Sequence, residues 1–165
     1  TLLGFAVISE IPWYLLNGAD GIHNVMFTLA LGVATLMVLE NLLQRSLVLG
    51  FLWTLGMAGL ASWLGVDYEW RGILVIVIFY LFNVYGHSFP YSRGMQFFST
   101  FALMIHYGVI GAVMACMILY LYNGKRGFVQ GSIAKYGFYA FYPAHFILFI
   151  QICERSFPCI LMFKL

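Results

Sequence analysis

The sequence predicts an all-α, polytopic transmembrane bundle of about six helices, and three observations predict it. Hydrophobic residues make up 63% of the 165-residue chain and charged residues 8%, where a soluble domain carries about 25% charged residues. The mean hydropathy is +0.93. The apolar residues gather in long runs near 1–16, 22–39, 47–64, 72–86, 97–122 and 137–163, and a bilayer crossing takes roughly 20 residues at 1.5 Å rise each. No segment alternates with period two over the strand lengths of a transmembrane barrel, and hydrocarbon admits only helices or closed barrels.

The first run opens on Leu2-Leu3-Gly4-Phe5 with no methionine and no basic leader, so the chain reads as a fragment beginning inside a helix, with further helices of the same domain upstream. Near its end Ser9-Glu10-Ile11-Pro12 places a carboxylate where hydrocarbon is expected, beside a residue that disturbs the helix. Such a carboxylate needs a partner. Asn17-Gly18-Ala19-Asp20-Gly21 is a turn, and Asp20, His23 and Asn24 follow it, so polar groups collect at this end of the bundle.

The next three runs are separated by Glu40 to Arg45 and by Asp67 to Arg71, and His87 to Arg93 closes the fourth. Connectors this short imply antiparallel neighbours. In the fifth run Gly108, Gly111, Ala112 and Ala115 let neighbouring helices approach closely, and His106 is expected deep, in an interhelical hydrogen bond. His23 and His87 fall in connectors that water reaches. The basic residues divide between the two sets of alternating connectors, so positive-inside bias assigns no orientation.

The last run carries the clearest chemistry. Tyr136, Tyr139 and Tyr142 precede His145 by nine, six and three residues, and Pro143 interrupts the helix between them. Tyr142 falls near the face of His145, while Tyr139 and Tyr136 drift around the helix. Pro143 withholds its hydrogen bond from the Tyr139 carbonyl, so a kink is expected. A titratable imidazole at such depth marks a functional site; two readings stand, a general base acting on an amine or hydroxyl and a ring bonded to a backbone carbonyl within an interfacial aromatic belt.

Preceding this helix, Asn123, Lys125 and Arg126 lie in a glycine-flanked turn. If connectors alternate sides, they emerge on one face with Asp20, Asp67, Glu69 and Arg71, where the cations suit the phosphates of a nucleotide-based acyl donor; the bland reading is a set of charged loops at the headgroups. Cys116, Cys153 and Cys159 show no CxxC or CxxH spacing, and no pair of histidines has helical metal-site spacing, so neither a disulfide framework nor a metal is expected. A formal charge of +2 with scattered basic residues sets nucleic acid aside. No repeat or linker divides the chain, which reads as one domain over 1–165.

Five segments in order resemble the TraX family: Ile8-Ser9-Glu10-Ile11-Pro12, Asn24-Val25-Met26-Phe27-Thr28-Leu29, Arg71-Gly72-Ile73-Leu74 leading to Phe79-Tyr80-Leu81-Phe82, Tyr122-Asn123-Gly124-Lys125-Arg126-Gly127, and Tyr139-Ala140-Phe141-Tyr142-Pro143-Ala144-His145. The resemblance spans nearly the whole chain. It implies a multi-pass bacterial inner-membrane protein of the acyltransferase-3-like group, named for pilin acetylation in conjugation. The implied reaction moves an acetyl group from acetyl-CoA to a pilin-like amine or a cell-envelope hydroxyl. The family's opening pattern, an Asp-His pair and a Gly-Arg-x-x-Phe-Pro segment, has no match here, which implies the C-terminal part of that pattern. On this reading His145, Tyr142 and Glu10 are catalytic, with Tyr142 or Asn123 donating to the oxyanion. Asn123, Lys125, Arg126, Asn24, Asp20 and Tyr139 bind donor and acceptor. A permease or an assembly scaffold is the alternative, in which the same polar groups line a path or cement helices.

Overall fold

In the computed structural model, residues 2–18, 21–86, 91–121 and 131–156 are described, with side chains in the last helix described through 152. Among these residues the chain is all-α with seven helices: α1 (Leu2–Asn17), α2 (Val25–Arg45), α3 (Leu47–Trp63), α4 (Glu69–Val84), α5 (Ser92–Met104), α6 (Val109–Leu121) and α7 (Ser132–Ser156). The extra helix corrects the expected six. The run at 97–122 does not cross as one helix but breaks at a 3-10 turn, Ile105–Tyr107, followed by Gly108 at φ 126°. A glycine alone takes that backbone without a Cβ penalty, and the chain turns back there. His106 therefore lies exposed in the break rather than deep between helices.

The core belongs to α2, α3 and α4. Along α2 the buried positions Thr28, Gly32, Thr35 and Leu39 recur at four, three and four residues, a single helical stripe. Leu39, Met57, Ala61, Ile73 and Val77 form a buried cluster with Val66 of the α3–α4 connector. The buried threonines of these helices are satisfied, Thr28 by the Asp67 carbonyl of the α3–α4 connector and two others within their own helices. Thr35 Oγ1 donates to the Leu31 carbonyl at 2.7 Å, and Thr54 Oγ1 to the Gly50 carbonyl at 2.9 Å. Trp53 Nε1 donates across to the Thr35 carbonyl at 3.1 Å, which ties α3 to α2.

α1 and α7 pack together outside this core and run parallel: Phe5 meets Tyr136 and Tyr139 with ring centroids at 6.5 and 5.5 Å, and eight residues further Trp13 meets Phe146 at 5.5 Å. The buried face of α1 is Ala6, Ser9 and Pro12, a stripe small enough for close helix approach. α7 continues through Pro143, which is buried. α6 returns along α5, with Tyr120 against Phe97 at 6.3 Å.

α2, at 21 residues, is the one helix among those described that is both long and apolar enough to cross a membrane; α1, α3 and α6 are apolar and shorter. Its length of about 31 Å matches the hydrocarbon thickness. The outer faces of α1, α3, α6 and α7 expose large apolar side chains, among them Leu15, Leu47, Phe51, Ile110, Leu121 and Phe141, each more than 60% accessible. Apolar exposure on this scale calls for a nonaqueous neighbour.

Candidate functional site

Asn24 begins the site because it begins α2. Its Oδ1 accepts from the Met26 N–H at 3.0 Å and caps the helix, the role for which asparagine is favoured. The two hydrogens of its amide are used as well, one donated to the Ala6 carbonyl at 2.9 Å and one to Glu10 Oε2 at 2.6 Å. The side chain is fully buried with every group partnered. Asn24 thus joins the start of α2 to the middle of α1, and a carboxylate at a helix N-terminus is favoured by the helix dipole.

The other oxygen of Glu10 takes His23, whose Nδ1 lies 2.6 Å from Oε1. A carboxylate only accepts, so Nδ1 carries the hydrogen. The segment bearing His23 folds back over α1, where Trp13 Nε1 donates to the Ile22 carbonyl at 2.8 Å, and docks on the α3–α4 connector. There the His23 N–H donates to Gly65 O and the Asp67 N–H to His23 O, both at 2.8 Å. These two bonds form an isolated parallel bridge between His23 and Val66.

The connector is backbone-strained at this point. Tyr68 and Glu69 sit consecutively at φ 65° and 46°, a left-handed conformation that costs non-glycine residues of order 1–3 kcal/mol each. The hydrogen bond from Thr28 Oγ1 to the Asp67 carbonyl and that from the Gly72 N–H to the Tyr68 carbonyl hold it in place. The Tyr68 ring meets Tyr107 at 4.9 Å, bringing the α5–α6 break to the same end. Arg71 lies over Trp70 at 4.6 Å and pairs with Glu69 at 3.6 Å.

Burial pushes the Asp67 carboxyl above the ordinary carboxylate range, opposed in part by the Tyr68 N–H that donates to Oδ1 at 3.0 Å. Burial likewise pushes the Tyr68 phenol up, with the Asp67 charge adding to it. A raised folded-state value means that the folded protein holds the Asp67 proton more tightly than the unfolded chain. Ionisation therefore costs stability as pH rises through about 4 and then through the higher folded value. Asp67→Asn keeps the acceptor oxygen and removes that cost. Its melting temperature in detergent should rise by roughly 2 °C at neutral pH, with the gain vanishing toward pH 4.

α7 closes the site. The Tyr142 phenol lies beside the Val25 backbone N–H, within electrostatic reach of the Asp67 and Glu10 carboxyl groups. Three residues on, His145 packs on Tyr142 at 5.4 Å, and its Nδ1 donates to the Phe141 carbonyl of its own helix at 3.1 Å. The bond reaches Phe141 rather than the Tyr139 carbonyl that Pro143 leaves without its helical donor. Tyr139 faces the Phe5 ring, one turn away.

Of the residues singled out from sequence, Glu10, Asn24 and Tyr142 converge, and His145 and Tyr139 lie a turn to either side of Tyr142 along α7. Asp20, Asn123, Lys125 and Arg126 lie outside the described residues. The helices flanking the last three have their ends, at Leu121 and Ser132, by Phe97 and Phe5 and away from the Glu10 end; the reversal at Gly108 supplies the added helix. His23 and Asp67 join the site although sequence reasoning left them as connector residues. The available signal was the pair of glycines, Gly18 and Gly21, that lets the chain return from α1 before the Asn24 cap.

A family model described as TraX protein matches residues 1–153 of the chain. No curated protein and no solved structure matches it.

Proposed function

The chain belongs to the TraX family and is a helical membrane protein, and from these premises we propose that it is a multi-pass acetyltransferase of the bacterial inner membrane. It transfers an acetyl group from acetyl-CoA to an amine, such as a pilin-like N-terminus, or to a hydroxyl of an envelope molecule. The observation that carries this reading is the convergence of Glu10 and Tyr142, midway along the otherwise apolar α1 and α7, on the Asn24 cap of α2. Polar groups held at that depth are expensive unless they serve chemistry or transport.

In the reaction the acceptor attacks the thioester carbonyl. Tyr142 O–H donates to the oxygen as negative charge develops on it, the kind of contact that strengthens only in the transition state. Glu10, fixed by Asn24, supplies the negative charge that favours proton removal. His145, with Nδ1 engaged by the Phe141 carbonyl, presents Nε2 on the acceptor side. Lys125, Arg126 and Asn123 take the donor's phosphates, and Asp20 and Tyr139 bind the acceptor. Phe5 meets the start of α7, and Glu10 lies five residues, roughly 7.5 Å of helix, deeper; an extended pantetheine arm covers such a distance.

The test is transfer of labelled acetyl from acetyl-CoA in membranes containing the full-length protein, offered peptide amines and sugar hydroxyls as acceptors. Labelled product is expected, falling about tenfold, or ~1.4 kcal/mol of barrier, in His145→Ala at matched protein level. Failure to acetylate any acceptor, together with uptake of labelled solute into vesicles, would replace the enzyme reading with a permease.

A further inference from the structure

We infer that His23 is the proton acceptor of the transfer reaction, held for that task by Glu10 and Asn24; the inference rests on the acetyltransferase reading above. Two imidazoles are candidates, His145 packed on Tyr142 and His23 on Glu10, and their partners differ in kind. The Nδ1–H of His145 donates to a neutral carbonyl of its own helix. The Nδ1–H of His23 donates to a carboxylate at 2.6 Å, and a hydrogen bond to a charged acceptor is roughly twice as strong as one between neutral groups. A carboxylate behind an imidazole fixes its tautomer and stabilises the imidazolium that forms when the far nitrogen takes a proton.

The geometry supplies the other requirements of a general base. Glu10 cannot swing away, because its second oxygen is held by Asn24, a fully buried side chain with all its bonds made. His23 cannot retreat, because its own N–H and C=O are both bound to the α3–α4 connector and its ring rests on Phe27 at 5.3 Å. Yet the ring is not sealed in. Its side chain is 46% accessible, so Nε2 is the nitrogen a substrate can reach. A rigid backbone, an occupied Nδ1 and an accessible Nε2 together distinguish a working base from a packing residue.

In the step assigned to it, the acceptor nitrogen forms a bond to the acetyl carbonyl carbon and its proton passes to His23 Nε2. The carbonyl electron pair moves to oxygen, then returns as the carbon–sulfur bond breaks. Sulfur leaves with that pair and takes the proton from Nε2, giving the free CoA thiol and the acetylated acceptor. Glu10 stays a carboxylate throughout.

The experiment uses the full-length protein in membrane vesicles, acetyl-CoA, and a short peptide with a free N-terminal amine. His23→Ala should lower kcat at least about a hundredfold while the KM for acetyl-CoA stays within about twofold, and millimolar imidazole added to the buffer should restore part of the rate. His23→Gln, whose amide can still donate to Glu10, should be as slow as His23→Ala. A Gln variant that keeps the wild-type rate would overturn the assignment, since it holds Glu10 but accepts no proton. An alanine variant present at the wild-type level, slow, and unmoved by imidazole would overturn it in favour of a purely structural role. If the unaltered protein transfers nothing to any acceptor, the acetyltransferase reading falls and takes this inference with it; transfer that is indifferent to His23 removes the inference alone.

Discussion

Asn24→Ala should lower the unfolding free energy by at least about 3 kcal/mol, and Asn24→Asp by more, in denaturant unfolding of the detergent-solubilised protein. The alanine variant loses the α2 cap, worth about 1 kcal/mol. It also strips the Ala6 carbonyl and one Glu10 oxygen of the amide that satisfies them, and each such buried group costs about 1–3 kcal/mol when left alone. Aspartate keeps the cap. It puts an oxygen where the amide nitrogen now sits, 2.9 Å from the Ala6 carbonyl and 2.6 Å from Glu10, so two donors vanish and two carboxylates face each other. Against a total of about 5–15 kcal/mol for a domain, that variant stands at the edge of folding. Should aspartate prove more stable than alanine, capping would outweigh the clamp on Glu10, and the site would owe its geometry to something other than Asn24.

Gly65→Ala carries the second large effect, also about 3 kcal/mol, and it reaches activity through position alone. Gly65 sits at φ +63°, and a Cβ there would lie 2.7 Å from the Gly21 carbonyl oxygen. The left-handed backbone costs a non-glycine residue about 1–2 kcal/mol. The collision adds to it, because neither backbone can yield without breaking the bond from the His23 N–H to the Gly65 carbonyl. Gly18→Ala separates the two contributions. It shares a positive φ of 79° with open space around it, so it should lose only the conformational part. Comparing the two variants in unfolding and in acetyl transfer isolates the docking of the 21–24 segment. Equal losses in both would show that the His23 bridge contributes nothing.

The class of the fold and half of the site are legible in the residues, and the remainder is not for identifiable reasons. The helices announce themselves as apolar runs of span length, whereas the stripe Thr28, Gly32, Thr35 and Leu39 that α2 buries is set by its packing on α3 and α4. Glu10 and Asn24 stand out because a polar group in an apolar run demands a partner. The turn at Gly108 is silent to hydropathy: Ile105, Tyr107, Val109 and Ile110 keep the run apolar across it, and only the backbone angle of one glycine reverses the chain. The Glu10–His23 pair is silent for a different reason. Thirteen residues separate the two, and they meet because the intervening segment docks on Gly65 and Asp67, more than forty residues further on. His145 was the more conspicuous imidazole in the sequence, surrounded by tyrosines, yet its Nδ1 bond is to its own helix.

The parallel pairing of α1 with α7 has a consequence for how the protein is made. Phe5 and Tyr139 meet across nearly the whole length of the chain, whereas Glu10 and Asn24 are close neighbours in sequence. On a ribosome adding about 5–20 residues per second, the clamp around Glu10 can close early, and the wall that bears Tyr142 arrives on the order of ten seconds later. Until then the carboxylate, Asn24 and the imidazole stand with one side open. The order of synthesis thus makes α7 the closing element, and a chain halted before it would display a formed but roofless cluster to whatever insertion factor or protease stands by.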